Sequence, residues 1–330
     1  MSAPATPASF GLAHQLPMTF GQMLDRIYRL MRSQLKLFIG IASVMSATYF
    51  LIIALVGAVI VIPFLMQQQT NPDPAVVFRI VFPVILVTIP LQLAIFAFYL
   101  AASIYAALQA NVGVKVTFRY SYGVAWKRIG RYLWLLFLSY LIAFLPVLVI
   151  ELIIFAQTGL LAMNKQAPTP AFFLLLPLEV LLLFAAMVYG VIIAMRLSLA
   201  FPASLSEGLT AWDAIRRSGQ LSKGAKGRIF LVLLVIYALG YAAEMAGIFI
   251  LVPVIIVGSL VMASLHVHVA SVAGIAGIVL AALCFLAFIF LWMALLWSAF
   301  STALAVLYHD QRLRNEGSLL APLRAGEAQA

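Results

Sequence analysis

Long apolar stretches separated by short polar ones run the length of the chain, and their lengths select the structure. A helix crosses a hydrocarbon core of about 30 Å with about 20 apolar residues. Six stretches are long enough, at about 37–66, 80–110, 132–158, 171–195, 229–262 and 271–307. Polar punctuation falls between them, as in Gln67 to Pro74 and in the loop with Lys165, Pro168 and Pro170. The pattern predicts an all-α polytopic membrane protein with six transmembrane helices. The last two stretches exceed one span, and tilt or a kink at Pro253 absorbs the excess. A single membrane domain is expected over 17–317, with flexible tails over 1–16 and 318–330. Residues 1–16 show no apolar core followed by a cleavage site, so the first span is expected to be retained.

Composition narrows the class further. The chain is 65% hydrophobic and 9% charged, whereas soluble domains average about 45–50% apolar and about 25% charged. So few charges cannot cover so much apolar surface in water, which excludes an ordinary soluble enzyme. Disorder is excluded too, because it needs low hydrophobicity. The net charge of +10 does not call for nucleic acid, since the basic residues flank spans rather than forming a patch on a soluble domain. Eighteen of the 20 Lys and Arg fall on one side when the six spans are threaded; only Arg79 and Lys165 fall on the other. A miscounted span would scramble that split, so both termini are expected in the cytoplasm.

Three basic segments that precede spans resemble one another. Thr19-Phe20-Gly21 leads to Arg26-Ile27-Tyr28-Arg29, and Ser121-Tyr122-Gly123 leads to Arg128-Ile129-Gly130-Arg131 at the same offsets. A looser copy runs from Thr210-Ala211-Trp212-Asp213 to Ile215-Arg216-Arg217. Thr19 with Gln22, and Thr210 with Asp213, fit reciprocal helix caps. Leu24, Ile27, Tyr28 and Met31 share helical spacing, which predicts an interfacial amphipathic helix, and Gly224 fits a stop for the third copy. The chain is therefore expected to hold three units, each an interfacial helix followed by a two-span hairpin.

Candidate chemistry is sparse. Glu151, Glu179 and Glu244 fall inside spans with no intramembrane Lys or Arg to pair with. Glu151 lies about 29 Å along its helix from Tyr132, Glu179 about 12 Å from the start of its span and Glu244 about 22 Å from the start of the fifth. A carboxylate in hydrocarbon must be protonated, hydrated in a cavity or paired with a cation. The three form either a polar intramembrane site, binding a cation or relaying protons, or interfacial and interhelical hydrogen-bonding groups. His266 and His268 flank Val267 without a third ligand nearby, so no metal site is expected. Cys284 is the only cysteine, which precludes an intrachain disulfide. No phosphate loop, His-Glu-x-x-His pair or nucleophile elbow is present, and no cofactor or catalytic residue is assigned.

The segment from Arg196 through Pro202 to Glu207-Gly208, continuing into Ala214-Ile215-Arg216-Arg217-Ser218 and Leu221-Ser222-Lys223-Gly224, is one moderately specific signature. Tyr308-His309-Asp310-Gln311-Arg312-Leu313-Arg314-Asn315-Glu316-Gly317 is a second. Together they resemble the glycerophosphoryl diester phosphodiesterase membrane-domain family, bacterial polytopic membrane proteins mostly of unknown function. The resemblance extends from the first interfacial helix to Gly317. It implies a location in the bacterial cytoplasmic membrane. Some relatives are fused to a soluble phosphodiesterase domain, for which this chain has no counterpart, so the family name implies no activity here.

The residues of the two signatures have their own reading. Arg196, Arg216, Arg217, Arg312 and Arg314 are candidates for binding headgroups or a partner. Glu207, Asp213, Asp310 and Glu316 are candidates for a charge clamp between the loop and the tail. The expected function is non-enzymatic, with membrane lipids, a membrane protein or a second copy as partner. The competing expectation is a transporter or channel with a polar cavity around Glu244.

Overall fold

The computed structural model describes residues 17–67, 74–163, 170–264 and 272–327, and every regular element among them is helical. The expected tail at 1–16, Lys165, His266 and His268 lie outside the described residues. In chain order the helices are α1 (Phe20–Ser33), α2 (Leu35–Gln67), α3 (Pro74–Asn111), α4 (Phe118–Lys127) and α5 (Ile129–Met163). They continue as α6 (Pro170–Leu197), α7 (Ala200–Glu207), α8 (Ala211–Leu221), α9 (Lys226–Ser264) and α10 (Val272–Glu327).

The six long helices, α2, α3, α5, α6, α9 and α10, are each long and apolar enough to cross a membrane. The chain is thus a polytopic membrane protein with six candidate spans. Helix continues through Pro83, Pro90, Pro146, Pro177 and Pro253. Large apolar side chains project outward along the spans, with Phe155 70% and Phe249 77% exposed. Such a surface suits lipid, which leaves backbone groups to be satisfied inside each helix. At its far end α10 continues to Glu327, where the sequence pattern places a flexible tail from residue 318. Leu319, Leu320, Ala321, Leu323 and Arg324 are good helix formers and extend the helix past Gly317.

The short helices start as their caps dictate. Thr19 Oγ1 accepts from the Gln22 N–H, and the Gln22 side chain accepts from the Thr19 N–H at 2.8 Å, closing a capping box. On α8, Thr210 accepts from the Asp213 N–H, but its hydroxyl also donates to Asp213 Oδ2 at 2.6 Å. The third-copy cap is therefore a side-chain pair rather than a second box. Gly224 adopts φ 74° in the turn between α8 and α9, a backbone conformation that favours glycine.

The helices form two compact units. The first comprises residues 128–230 and 307–330 with Met18, hence α5 to α8, the start of α9 and the last part of α10. Within it Gly190 of α6 lies so near α5 that an added Cβ would sit 3.1 Å from the Ala143 carbonyl oxygen. Phe201 and Ala203 of α7 and Ala211, Ala214 and Leu221 of α8 are buried, and the Tyr132 and Phe201 rings stack at 6.4 Å.

The second unit comprises residues 19–127 and 231–306. Its α1 buries Met23, Ile27 and Leu30 and leaves Tyr28 61% exposed. The protein-facing edge is thus rotated from the expected Leu24–Ile27–Tyr28–Met31 face. The amphipathic sector is wide, and its aromatic edge turns away from the protein. Arg26 holds α1 to the end of α3, donating to Asn111 Oδ1 at 3.1 Å and to the Asn111 carbonyl at 2.7 Å. Tyr122 of α4 donates to the Ile41 carbonyl at 2.6 Å, and Trp297 of α10 packs on Phe96 at 4.9 Å.

The motifs equated by sequence offset occupy different places. Arg26 and Arg29 lie inside α1, whereas Arg128 is the break between α4 and α5 and Arg131 already belongs to α5. One short helix precedes α2 and α3 and one precedes α5 and α6, whereas two, α7 and α8, precede α9 and α10, and the basic residues are not at matching positions in them.

Candidate functional site

The charged residues of the two signatures converge in the first unit, at the junction of α7, α8 and the last part of α10. Arg217 on α8 is the hub. Its Nε donates to Glu207 Oε1 at 3.1 Å and Oε2 at 3.2 Å, and its Nη2 pairs with Glu316 on α10. Arg312, one turn before Glu316, donates to Glu316 Oε2 at 2.8 Å. Tyr308 donates to Glu207 Oε1 at 2.6 Å and accepts from Ser206 at 2.7 Å. Burial alone would lower the Arg217 guanidinium; hydrogen bonding and opposite charge from Glu207 and Glu316 outweigh it and hold its pKa above the ordinary value. Loop and tail are thus joined through a charge-assisted network, in which an ionised partner makes each bond stronger than a neutral one.

A second network surrounds Asp310, which is fully buried. Arg314 donates to its Oδ2 at 2.9 Å, and the Arg228 guanidinium lies 3.6 Å from the same oxygen. The backbone N–H of Met18 donates to Oδ1 at 2.8 Å. The Met18 carbonyl accepts from Arg314 at 2.8 Å and from Arg228. Both polar groups of one peptide residue are therefore held by side chains from α9 and α10. Asp213, expected in the clamp, remains on its own helix with Thr210, because the cap position fixes its carboxylate at the start of α8.

The five candidate arginines consequently fall into two groups. Arg217, Arg312 and Arg314 are engaged by carboxylates. Arg196 and Arg216 are exposed and, among the described residues, in no salt bridge. Arg196, at the end of α6, lies flat against Gly219 of α8, where an added Cβ would be 3.1 Å from its Nε. Beneath it Ser218 donates to the Arg196 carbonyl at 2.7 Å and accepts from the Leu199 N–H at 3.2 Å, fixing the α6–α7 joint on α8. The Arg216 guanidinium lies over the Trp212 ring at 5.6 Å, a cation–π contact that orders the side chain without neutralising it.

Tyr308, Ser206, Arg228 and Met18 complete these networks; the sequence assigned none of them a role, although Tyr308 and Ser206 lie within the two signatures. Tyr308 is one turn before Arg312, a spacing that places them on one helix face and offers a signal for its involvement. No sequence signal points to Met18, since only its backbone takes part.

The intramembrane carboxylates do not form one site within either unit. Glu151 is exposed on α5 and Glu179 half-buried on α6, both in the first unit, while half-buried Glu244 is on α9 in the second. Gly240 and Gly247 share the helical stripe of Glu244. An added Cβ at Gly240 would lie 2.5 Å from Leu296 Cδ1, and one at Gly247 would run into the Phe288 ring, so this stripe is close-packed on α10. Among the described residues no His, Cys, Asp and Glu group could hold a metal.

No protein family, curated protein or solved structure matches the chain. The resemblance carried by the two signatures therefore has no family match beside it.

Proposed function

We propose that the chain is a non-enzymatic membrane protein that binds anionic lipid headgroups through Arg196 and Arg216. One observation supports this reading above the others: the cluster contains carboxylates enough to engage Arg217, Arg312 and Arg314, yet these two guanidinium groups are exposed and, among the described residues, outside every ion pair. Exposed Lys223 in the α8–α9 turn and exposed Lys226 at the start of α9 add positive charge nearby in sequence. A guanidinium presents a planar donor fork suited to phosphate, and cytoplasmic leaflets rich in anionic lipid attract basic residues with about 1 kcal/mol each. In this reading both termini and the basic segments are cytoplasmic, in accord with the positive-inside bias. Three hairpin units, a bacterial cytoplasmic membrane and a place in the phosphodiesterase membrane-domain family belong to the same proposal. The competing cavity around Glu244 has close helix packing on both sides of that residue against it.

The test is a thermal-unfolding series in neutral detergent with added short-chain phosphatidylglycerol or phosphatidylcholine. Phosphatidylglycerol is expected to raise the midpoint of the native chain more than phosphatidylcholine does. Arg196→Ala with Arg216→Ala is expected to remove that difference. An undiminished difference in the double variant rejects the assignment.

A further inference from the structure

In the first unit two guanidinium groups meet at one glycine. Arg131, in the first turn of α5, donates from Nη1 to the Gly208 carbonyl at 2.7 Å. Arg128, in the break before α5, reaches the same residue: a Cβ added at Gly208 would lie 3.7 Å from its Nη1. Apart from its chain neighbours, no other group of the described residues comes within 4 Å of that position. Gly208 ends α7 with φ 70°, a conformation that favours glycine. The turn therefore leaves open space beside the Arg128 guanidinium.

Two cations that touch one residue repel each other, and a nearby carboxylate would offset that repulsion. None is supplied here: among the described residues neither arginine is in a salt bridge. The acidic residues nearest to Gly208 in sequence are committed elsewhere. Glu207 accepts from Arg217 and Tyr308, and Asp213 accepts from Thr210. The other contacts of Arg131 are neutral. Its Nη2 donates to the Tyr132 hydroxyl at 3.2 Å, and its guanidinium lies 5.2 Å from the centre of the Tyr132 ring.

The start of α5 adds to the imbalance. A helix carries the positive end of its backbone dipole there, yet the first turn of α5 contains no acidic residue, whereas that of α8 contains Asp213. Arginine has the wrong charge for such a place unless an anion joins it.

Charge then sets the class of ligand. A phosphate diester such as that of phosphatidylglycerol carries one negative charge. A phosphate monoester carries about −1.5 to −2 at pH 7 and offers three acceptor oxygens. Two guanidinium forks match the monoester in charge and in donors. Arg128 and Gly208 are both exposed, so the place is accessible from outside the protein.

We propose that Arg128 and Arg131, at the Gly208 turn, form a binding site for a terminal phosphate monoester, carried by a lipid headgroup or free in solution. The site uses neither Arg196 nor Arg216 and does not depend on what those two bind.

Native mass spectrometry of the full chain, released from detergent containing equimolar phosphatidic acid and phosphatidylglycerol, tests this. The native chain is expected to retain phosphatidic acid over phosphatidylglycerol by about three- to fivefold, the gain from one further charge near basic residues. Arg128→Gln removes an exposed guanidinium and no ion pair, so the fold should stand while the excess is lost. Arg131→Lys keeps the charge and should keep most of the excess. Arg196→Ala with Arg216→Ala should leave the excess in place, so failure here is distinguishable from failure of the phosphatidylglycerol assignment. Equal retention of the two lipids by the native chain, or an undiminished excess in Arg128→Gln, overturns the proposal. Sodium phosphate against sodium chloride of equal ionic strength separates the two sources. Displacement of phosphatidic acid by phosphate identifies a site that takes the free anion, and retention identifies one that takes the lipid.

Discussion

The two polar regions of this protein solve opposite problems. At the junction of α7, α8 and α10, charged groups are numerous and meet one another: Glu207, Asp310 and Glu316 each accept from at least one arginine. Between α3 and α10, polar groups are neutral and fully buried, the Tyr99 hydroxyl lying among those of Ser103, Ser298 and Ser301. The difference follows from where each can find compensation. Arginine and carboxylate side chains are long enough to find partners across elements, and partial water access lowers the cost of an imperfect match. A serine hydroxyl in hydrocarbon has only its own helix or a hydroxyl close beside it to turn to. Ion pairing therefore joins segments in the first region, while short neutral side chains face one another in the second.

The largest break in the comparison is expected at Asp310. Asp310→Ala removes a fully buried carboxylate and leaves Arg228 and Arg314, with side chains 23% and 36% exposed, without it. Loss of one partner of such a pair destabilises by about 3 kcal/mol, measurable as a lowered denaturation midpoint, and Asp310→Asn should lose less because it keeps an acceptor for the Met18 N–H. A packing control comes next: Gly247→Ala sets a methyl against the Phe288 ring and is expected to destabilise by about 1–3 kcal/mol, with Phe288→Leu relieving part of it.

Two tyrosine hydroxyls sharpen the contrast directly. Tyr308→Phe deletes bonds to Glu207 and Ser206 and should destabilise by about 1–2 kcal/mol. Tyr99→Phe removes a hydroxyl whose neighbours are neutral serines, so its loss should be smaller than that of Tyr308→Phe, which meets a carboxylate, in the same assay; a larger loss would end the distinction. The smallest effect belongs to an exposed pair. Asp25 and Arg29 meet at 2.8 Å with side chains 52% and 75% exposed, and Asp25→Ala should change stability by less than about 0.5 kcal/mol.

Apolar run length made the spans legible: five of the six stretches lie within a long helix and the sixth matches α10 from Val272 on, because hydrophobicity alone decides whether a segment can reside in lipid. The Thr19–Gln22 box was legible too, since its geometry is local. Glu207, Arg217 and Glu316 could be nominated from charge near a polar end, but their pairing depends on how α8 and α10 approach, which no local pattern encodes. Asp213 shows the converse, a carboxylate with a clamp-like position whose cap role prevails. Met18 contributes only a peptide group and leaves no trace in composition. Ser103 and Ser301 were hidden among serines that look identical in sequence, because whether a hydroxyl turns back to its own helix is settled by the neighbouring helix. Equal offsets of glycine and arginine do not fix equal places in a helix: Arg26 lies inside α1, whereas Arg128 is the break between α4 and α5.

The division of the arginines into paired and unpaired groups is the claim on which the functional account rests. Native mass spectrometry of the chain released from detergent, with phosphatidylglycerol retained, measures it most directly. The account predicts that Arg196→Ala with Arg216→Ala strips bound phosphatidylglycerol, whereas Arg217→Ala with Glu316→Ala leaves the bound lipid as in the native chain. Retention by the first variant, or an equal loss from both, would contradict it.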